Sequence, residues 1–481
     1  MDVQSRESSA VRLSASTKLF YWFGQYAEGL FNAGMATFTL FYYNQVLGVP
    51  GALCGLAILI ATCVDAVVDP LMGSVSDGWR SRLGRRHPFM YASAVPLGLC
   101  FFLLFNPMVT TEFARFVWLV VFAVLTRFSM GLYHVPHMAV GAEMTSDYHE
   151  RNSLVAFRMM FGALGQMTVS YVAFDVFFKS SPAFPNGQLN PAAYPPLAAV
   201  LGMGMCFAIL ATSIGTRHLV PRLPVASPSQ KIGAVHLVKD MKLALSSTSF
   251  LCLIGGYALA EVPVGIGGGM SLYMYTFFWR IPAPTIPIIT FASLSALIAG
   301  YALSPMLLRR LEKRQALCAT ALVWAVIAAS PVTLHYAHAF PAPHTAWLVA
   351  ALAVFVSAGS FVVGPRIIVV ASMLADIADE VELGTGKRQA GALFGVYSFV
   401  LKATGGVGAA LGGVVLDLIH WPRGAAVRTA ANIPHDTLFN LSMIAGPGVV
   451  IGIFPAILLW RRYTLDKRRH IEVLEQLRAQ A

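Results

Sequence analysis

The chain has 481 residues, of which 57% are hydrophobic and only 12% charged, and its mean hydropathy is +0.65. Soluble domains carry about 25% charged residues, so this balance excludes a water-soluble protein and identifies a polytopic membrane protein whose first partner is the lipid bilayer. The formal net charge of +11 does not point to nucleic acid. The basic residues lie in short patches between apolar runs, the pattern of a positive-inside topology.

The first seventeen residues (MDVQSRESSAVRLSAST) are polar and lack an apolar core with a small-residue cleavage site, so no cleaved signal is expected. A hydrocarbon core takes about 20 apolar residues per helix. By that measure twelve spans are predicted, at roughly 18–46, 50–77, 88–108, 113–144, 153–178, 194–214, 248–278, 283–308, 315–336, 343–374, 389–419 and 435–460. The expected fold class is therefore an all-α integral membrane protein of two six-helix bundles, 18–215 and 248–460. These lie between a terminal segment (1–17), a central loop (216–247) and a basic tail (461–481).

Lysine and arginine gather in alternate connections. One set holds Arg6, Arg12, Lys18, Arg80 to Arg86, Arg151, the central loop, Arg309 to Arg314, Lys387, Arg388 and the tail. The other holds only Lys179, Arg280, Arg423 and Arg428, in stretches rich in proline. Counts of basic residues in short loops set orientation, so both termini are expected in the cytoplasm, in a bacterial inner membrane. The central loop reads as a linker with a short amphipathic helix, and the tail as a basic helix on the membrane surface. The cysteines at 54, 63, 100, 206, 252 and 318 show no metal-ligand spacing and read as reduced core residues.

In the first span, Gln25, Glu28 and Asn32 share a face by their spacing of three and four. That polar stripe either lines a solute cavity, with Tyr21 and Trp22 as stacking surfaces, or supplies one glutamate to pair with Lys402. In the second span, Asp65 and Asp69 stand one turn apart within apolar sequence and directly before Pro70. Ionisable groups in a span are costly and tend to face a cavity or the bundle interior. The pair therefore offers a site for Na+ or H+, the alternative being salt bridges to Arg158 or Lys402. Arg127, Arg158 and Lys402 either balance these acids or grip an anionic group of the solute. His134 and His137, around Pro136, lack the further ligands a metal needs; His134 reads as a cavity hydrogen-bonder or proton partner. Glu261 is expected to begin a seventh helix kinked at Pro263, and Arg366, after Gly364 and Pro365, to be interfacial. Asp376, Asp379, Glu380 and Glu382 are placed in the loop before the eleventh helix, where they are either solvated or paired with Arg85, Arg86 or Lys387 as a gate.

The pattern Gly73, Asp77, Arg80, Arg82, Gly84, Arg85, Arg86 resembles the loop between helices 2 and 3 of major-facilitator transporters. More narrowly, FYYNQVLG (41–48), DAVVDPLMG (65–73), LADIADEVELGTGKRQAG (374–391) and Lys402 in FVLKATGG resemble the glycoside–pentoside–hexuronide:cation symporters, of which melibiose permease is the best known. The resemblance covers about 18 to 420. It implies the major-facilitator fold, with parallel halves and a solute site between them, and carries the coupling-cation role onto Asp65 and Asp69. Arg158 matches the family's arginine of helix 5, and Lys402 its lysine near the cation pocket. Asp77, Arg85, Arg86 and Asp376 are the expected gate residues. Glu28-Gly29 and His134 stand where melibiose permease has the two acids that hold its sugar, and Gly131 where it has a threonine of the cation site.

The function expected is cation-coupled symport of a sugar or glycoside by a monomer, without cofactor. The alternative is the same machinery carrying a lysolipid-like amphiphile or a hexuronate-like anion. An intramembrane enzyme or a channel has no motif in its favour: neither H-E-x-x-H nor G-x-S-x-G occurs.

Overall fold

The computed structural model describes residues 13–145, 147–223, 247–343, 345–386, 390–424 and 432–480. The helices are α1 (Ala15–Leu40), α2 (Gly51–Gly78), α3 (His87–Leu104), α4 (Glu112–Glu143), α5 (Tyr148–Tyr171), α6 (Tyr194–Gly215), α7 (Thr248–Tyr273), α8 (Ile286–Arg310), α9 (Lys313–Tyr336), α10 (Ala346–Thr385), α11 (Ala390–Leu418), α12 (His435–Ala445), α13 (Ile453–Arg461) and α14 (Lys467–Gln480). Among the described residues there is no strand. Among the same residues eleven helical segments are long and apolar enough to cross a membrane, α12 and α13 counting as one. The twelfth span is α1, which is 26 residues long and is continued by a π-helical turn over Phe41–Val46. It has the length to cross, and its polar stripe is what lowers its hydropathy.

Local chemistry sets the helix ends. Ser14, Thr111, Asp147, Ser247 and Thr345 each accept a backbone N–H two or three residues into α1, α4, α5, α7 and α10, the standard role of such residues at a helix start. Helix α10 closes on Gly386, whose φ of +68° is a left-handed conformation that glycine adopts without strain.

The chain forms two compact units, built mainly on α1–α6 and α7–α14. Inside each, the same helix pairs recur at an offset of six. In the first, α1 packs on α5 and α6, and α3 on α4 and α6. In the second, α7 packs on α11 and α13, and α9 on α10 and the turn between α12 and α13. Close glycine contacts repeat too. Backbone of Gly29 in α1 lies directly against Gly162 and Gly165 in α5, and Gly265 in α7 against Gly408 in α11. With no hydrophobic drive between helices in lipid, small residues that let backbones approach supply the contact. Both α1 and α7 also end in a π-helical turn, Phe41–Val46 and Met274–Phe278.

A side chain at Gly29 would start inside van der Waals contact of the Gly162 carbonyl. Gly29→Leu is therefore expected to cut the yield of folded, monodisperse protein roughly tenfold, since overpacking costs about 1–3 kcal/mol and this partner is unyielding backbone. Leu19→Ala, at a 51% exposed position, is the control, and size-exclusion profiles in detergent are the measurement.

Several expectations are corrected. Helix α10 runs 40 residues, through Pro365, to Thr385, so Asp376, Asp379, Glu380 and Glu382 lie on a helix and not in a loop. A proline inside a span is tolerated because neighbours re-satisfy the freed carbonyl. Arg366 is consequently buried rather than interfacial, at 5% exposure, and Glu261 is in the middle of α7 rather than at its start. The tail does form a helix, α14, which packs on α10 through Val473; Tyr463 and Leu465, just before it, join the same core of the second unit, while Arg468 is exposed. The amphipathic helix expected in the central loop falls at 224–246, outside the described residues.

Candidate coupling and solute site

The first unit contains three polar layers. In the first, Asp65 and Asp69 of α2 face inward while Val67 and Leu71, between and after them, are more than half exposed. Spacing of four delivers this: one face of the helix carries both acids and the opposite face its valine and leucine. Asp65 is 8% exposed, and its Oδ2 lies 3.6 Å from Nη1 of Arg127 in α4. A salt bridge of the kind weighed for this acid thus exists, with Arg127 as a partner. Asp69 Oδ1 lies against Gly131 of α4, where a side chain would begin 3.3 Å from it and 2.9 Å from Val68 Cγ1. Glycine at that position keeps α4 clear of the carboxylate. Any larger residue would occupy the ground beside it.

The second layer joins α1, α4 and α5. Glu28 Oε2 is 2.9 Å from Nδ1 of His134, and both side chains are partly accessible, at 17% and 29%. Beside them His137 is fully buried and stacked between Tyr21 and Tyr133, with ring centroids 4.7 and 5.0 Å away. Its Nε2 sits 3.0 Å from the Tyr21 carbonyl. Gly24 makes room for this sandwich: a side chain there would meet His137 Nε2 at 2.7 Å and Thr212 Oγ1 at 2.8 Å. Arg158 is buried at 5% and lies within electrostatic reach of both Tyr21 and Glu28. Gln25 is buried against Gly162. Asn32, assigned to the same stripe, is exposed. Lys402 is half-buried on α11, in the second unit.

The third layer collects the basic loop. Gly84, at φ +78°, turns the chain so that Arg86 reaches Asp77, Ser76 Oγ at 2.6 Å and Glu143 Oε1 at 3.0 Å. Arg85 donates to the same Glu143 oxygen at 2.7 Å. Glu143, the last residue of α4, escaped the sequence reading. Its one signal was an acid ending a span in the unit that contains the arginine loop.

The second unit has a counterpart. Lys313, at the start of α9, holds Asp376 of α10 at 2.6 and 2.8 Å, and His470 of α14 lies 3.6 Å from Asp376 and 3.1 Å from Asp379. Burial, with Asp376 and Glu380 nearby, pushes the Tyr463 hydroxyl up. Arg85, Arg86 and Asp376, the expected gate residues, thus each belong to an ionic lock inside their own unit, which joins the start of its third helix to its fourth. Lys387 lies outside the described residues.

Among the described residues no three or more histidine, cysteine or acidic side chains gather as a metal site.

A family model described as MFS/sugar transport protein matches residues 20–467. Among curated proteins, the chain is similar to a putative glycoside/cation symporter, YagG, of Escherichia coli, with 24% identity over 87% of this chain and 86% of that one. It is 25% identical to a glucuronide carrier protein homolog of the same organism, over 85% and 84% of the two chains. It is 22% identical to the sodium-dependent lysophosphatidylcholine symporter 1 of Gallus gallus, over 99% and 92%. Among solved structures, a variant of the nucleoside transporter NupG superposes with a TM-score of 0.65 at 14% identity, covering 92% of this chain and 98% of that one. The inward-open xylose transporter XylE of E. coli gives 0.58 at 16%, covering 96% and 98%. At these identities the structural likeness speaks for the fold alone.

Proposed function

Because this chain belongs to the MFS/sugar transport protein family, we propose that it is a cation-coupled symporter that imports a sugar or glycoside by alternating access, with Asp65 and Asp69 as the coupling site. The observation that carries the reading is the disposition of the two acids. They share the inner face of α2, with Arg127 beside Asp65 and the glycine Gly131 of α4 beside Asp69. Two carboxylates held one turn apart in a segment surrounded by lipid repel one another and are retained only at a cost. A bound Na+ or H+ removes that cost, so cation and solute bind cooperatively.

Glu28 and His134, both partly accessible, serve as the solute-contacting groups of the first unit, backed by the buried Arg158 and the Tyr21–His137–Tyr133 stack. They offer a carboxylate and an imidazole as hydrogen-bonding groups, of the kind that fix the orientation of a bound solute. Names of relatives agree with the sugar or glycoside class, including a glycoside symporter and a glucuronide carrier. The lysophosphatidylcholine symporter among them supports a second reading, an amphiphilic solute on the same machinery. We place both termini on the cytoplasmic side of a bacterial inner membrane.

The test is uptake into proteoliposomes of a radiolabelled panel of glycosides, hexuronates and lysolipids, with and without imposed Na+ or pH gradients. Gradient-dependent accumulation of a glycoside, blocked by other simple sugars, is the expected result. Accumulation indifferent to every cation gradient sinks the coupling assignment, and uptake of lysolipid unaffected by sugars selects the second reading.

A further inference from the structure

The second unit carries a charged pair in the same register as Glu28 and His134. Glu28 and Glu261 are each the fourteenth residue of the opening helix of their unit, α1 and α7. The partner of each lies in the corresponding fourth helix beside a proline: His134 two residues before Pro136 of α4, Arg366 directly after Pro365 of α10. Arg366 Nη2 donates to Glu261 Oε1 at 2.6 Å. Its guanidinium lies 5.6 Å from the ring centre of Trp324 in α9, and Tyr257, one turn before Glu261, packs against Tyr397 of α11 at 5.5 Å.

The two pairs differ in what they leave over. The Arg366 side chain is only 6% exposed, yet among the described residues its Nη1 has no hydrogen-bond partner. Buried charged donors without partners are rare and costly. Glu261 keeps 16% side-chain exposure, so the pair is approached from its carboxylate, with the buried Nη1 of Arg366 behind it. A free donor on one member and an accessible carboxylate on the other present one donor and one acceptor side by side, in a pair whose charges already cancel. A carboxylate ligand would add an uncompensated negative charge there. Two neighbouring hydroxyls, one accepting from Nη1 and one donating to the glutamate, would satisfy both groups at no net charge.

We propose that Glu261 and Arg366, with the guanidinium held in plane by Trp324, form a binding site in the second unit for the vicinal hydroxyls of a neutral sugar ring. This rests on the glycoside reading above and narrows its substrate class, setting hexuronates and lysolipids aside at this site.

The experiment uses the full chain in proteoliposomes, with methyl β-D-glucopyranoside and D-glucuronate as probes, read by equilibrium binding as well as by gradient-driven uptake. The expected result is binding of the glucoside, weakened at least tenfold by Arg366→Lys and by Glu261→Gln. The charge-exchanged double variant Glu261→Arg/Arg366→Glu should regain the wild-type melting temperature without regaining binding, because a pair that only braces two helices would be repaired by the exchange. Recovery of binding in the double variant, undiminished glucoside binding in the single variants, failure of the wild type to bind the glucoside, or an Arg366-dependent preference for glucuronate would each overturn the assignment. Glucoside binding that depends on Arg366 but drives no gradient-dependent uptake would uphold this site and reject the coupling reading instead.

Discussion

Asp65→Asn and Asp69→Asn are expected to abolish accumulation of solute against its gradient while leaving solute exchange across the membrane measurable. Each substitution keeps the size of the side chain and removes one negative charge, so it removes the attraction for the cation with little change in packing. Coupling free energies of about 1–3 kcal/mol correspond to a 5–150-fold change in affinity, and accumulation in either variant should fall by about a hundredfold, to that set by equilibration. The two variants should separate on stability. Asp65→Asn strips the carboxylate from Arg127, 3.6 Å away and four-fifths buried, and a buried cation losing its partner is destabilising. Its melting temperature in detergent should drop and be restored in part by Arg127→Gln, which returns neither accumulation nor cation dependence. Normal accumulation in both single variants would refute Asp65 and Asp69 as the coupling site.

How much of this was legible before any coordinates follows from what kind of information each feature needs. Span boundaries follow from hydropathy, and the offset-of-six repeat from the two short basic loops after α2 and α8. Asp65 and Asp69 stood out because an acid inside a span is conspicuous by itself. Partners are different. That Arg127 reaches Asp65 depends on α4 lying beside α2, which no spacing along the chain discloses. Glu143 was missed because an acid at a span end looks solvated until the chain turn at Gly84 aims two arginines at it. Arg366 was misread for a local reason: Gly364 and Pro365 resemble a helix end, and only the packing of α10 on α8 and α9 shows the helix continuing through them. Asn32 does share the face of Gln25 and Glu28, seven residues being close to two whole turns, but spacing does not reveal burial: Asn32 is exposed there while Gln25 is buried.

The two ionic locks give a second strong expectation, because they share a position in the repeat and differ in burial. Glu143 accepts from both Arg85 and Arg86, whose side chains are 15% and 7% exposed. Removing its charge in Glu143→Gln leaves two arginines sharing one remaining acid, Asp77, itself nearly half exposed. Breaking a buried pair from one side costs about 3–5 kcal/mol. Asp376→Asn breaks the equivalent contact in the second unit, but there Lys313 is 35% exposed and can return to water, so its share is nearer the 0–1 kcal/mol of an accessible pair. Asp379 stays within reach of His470 to hold α14 in place. Unfolding followed by thermal melting in detergent should therefore show a large loss for Glu143→Gln and a small one for Asp376→Asn. The double variant should be close to additive, since each lock lies within its own unit and the two share no partner. Equal losses in the two single variants would mean that burial does not set the strength of these locks, and strong non-additivity would mean that they communicate.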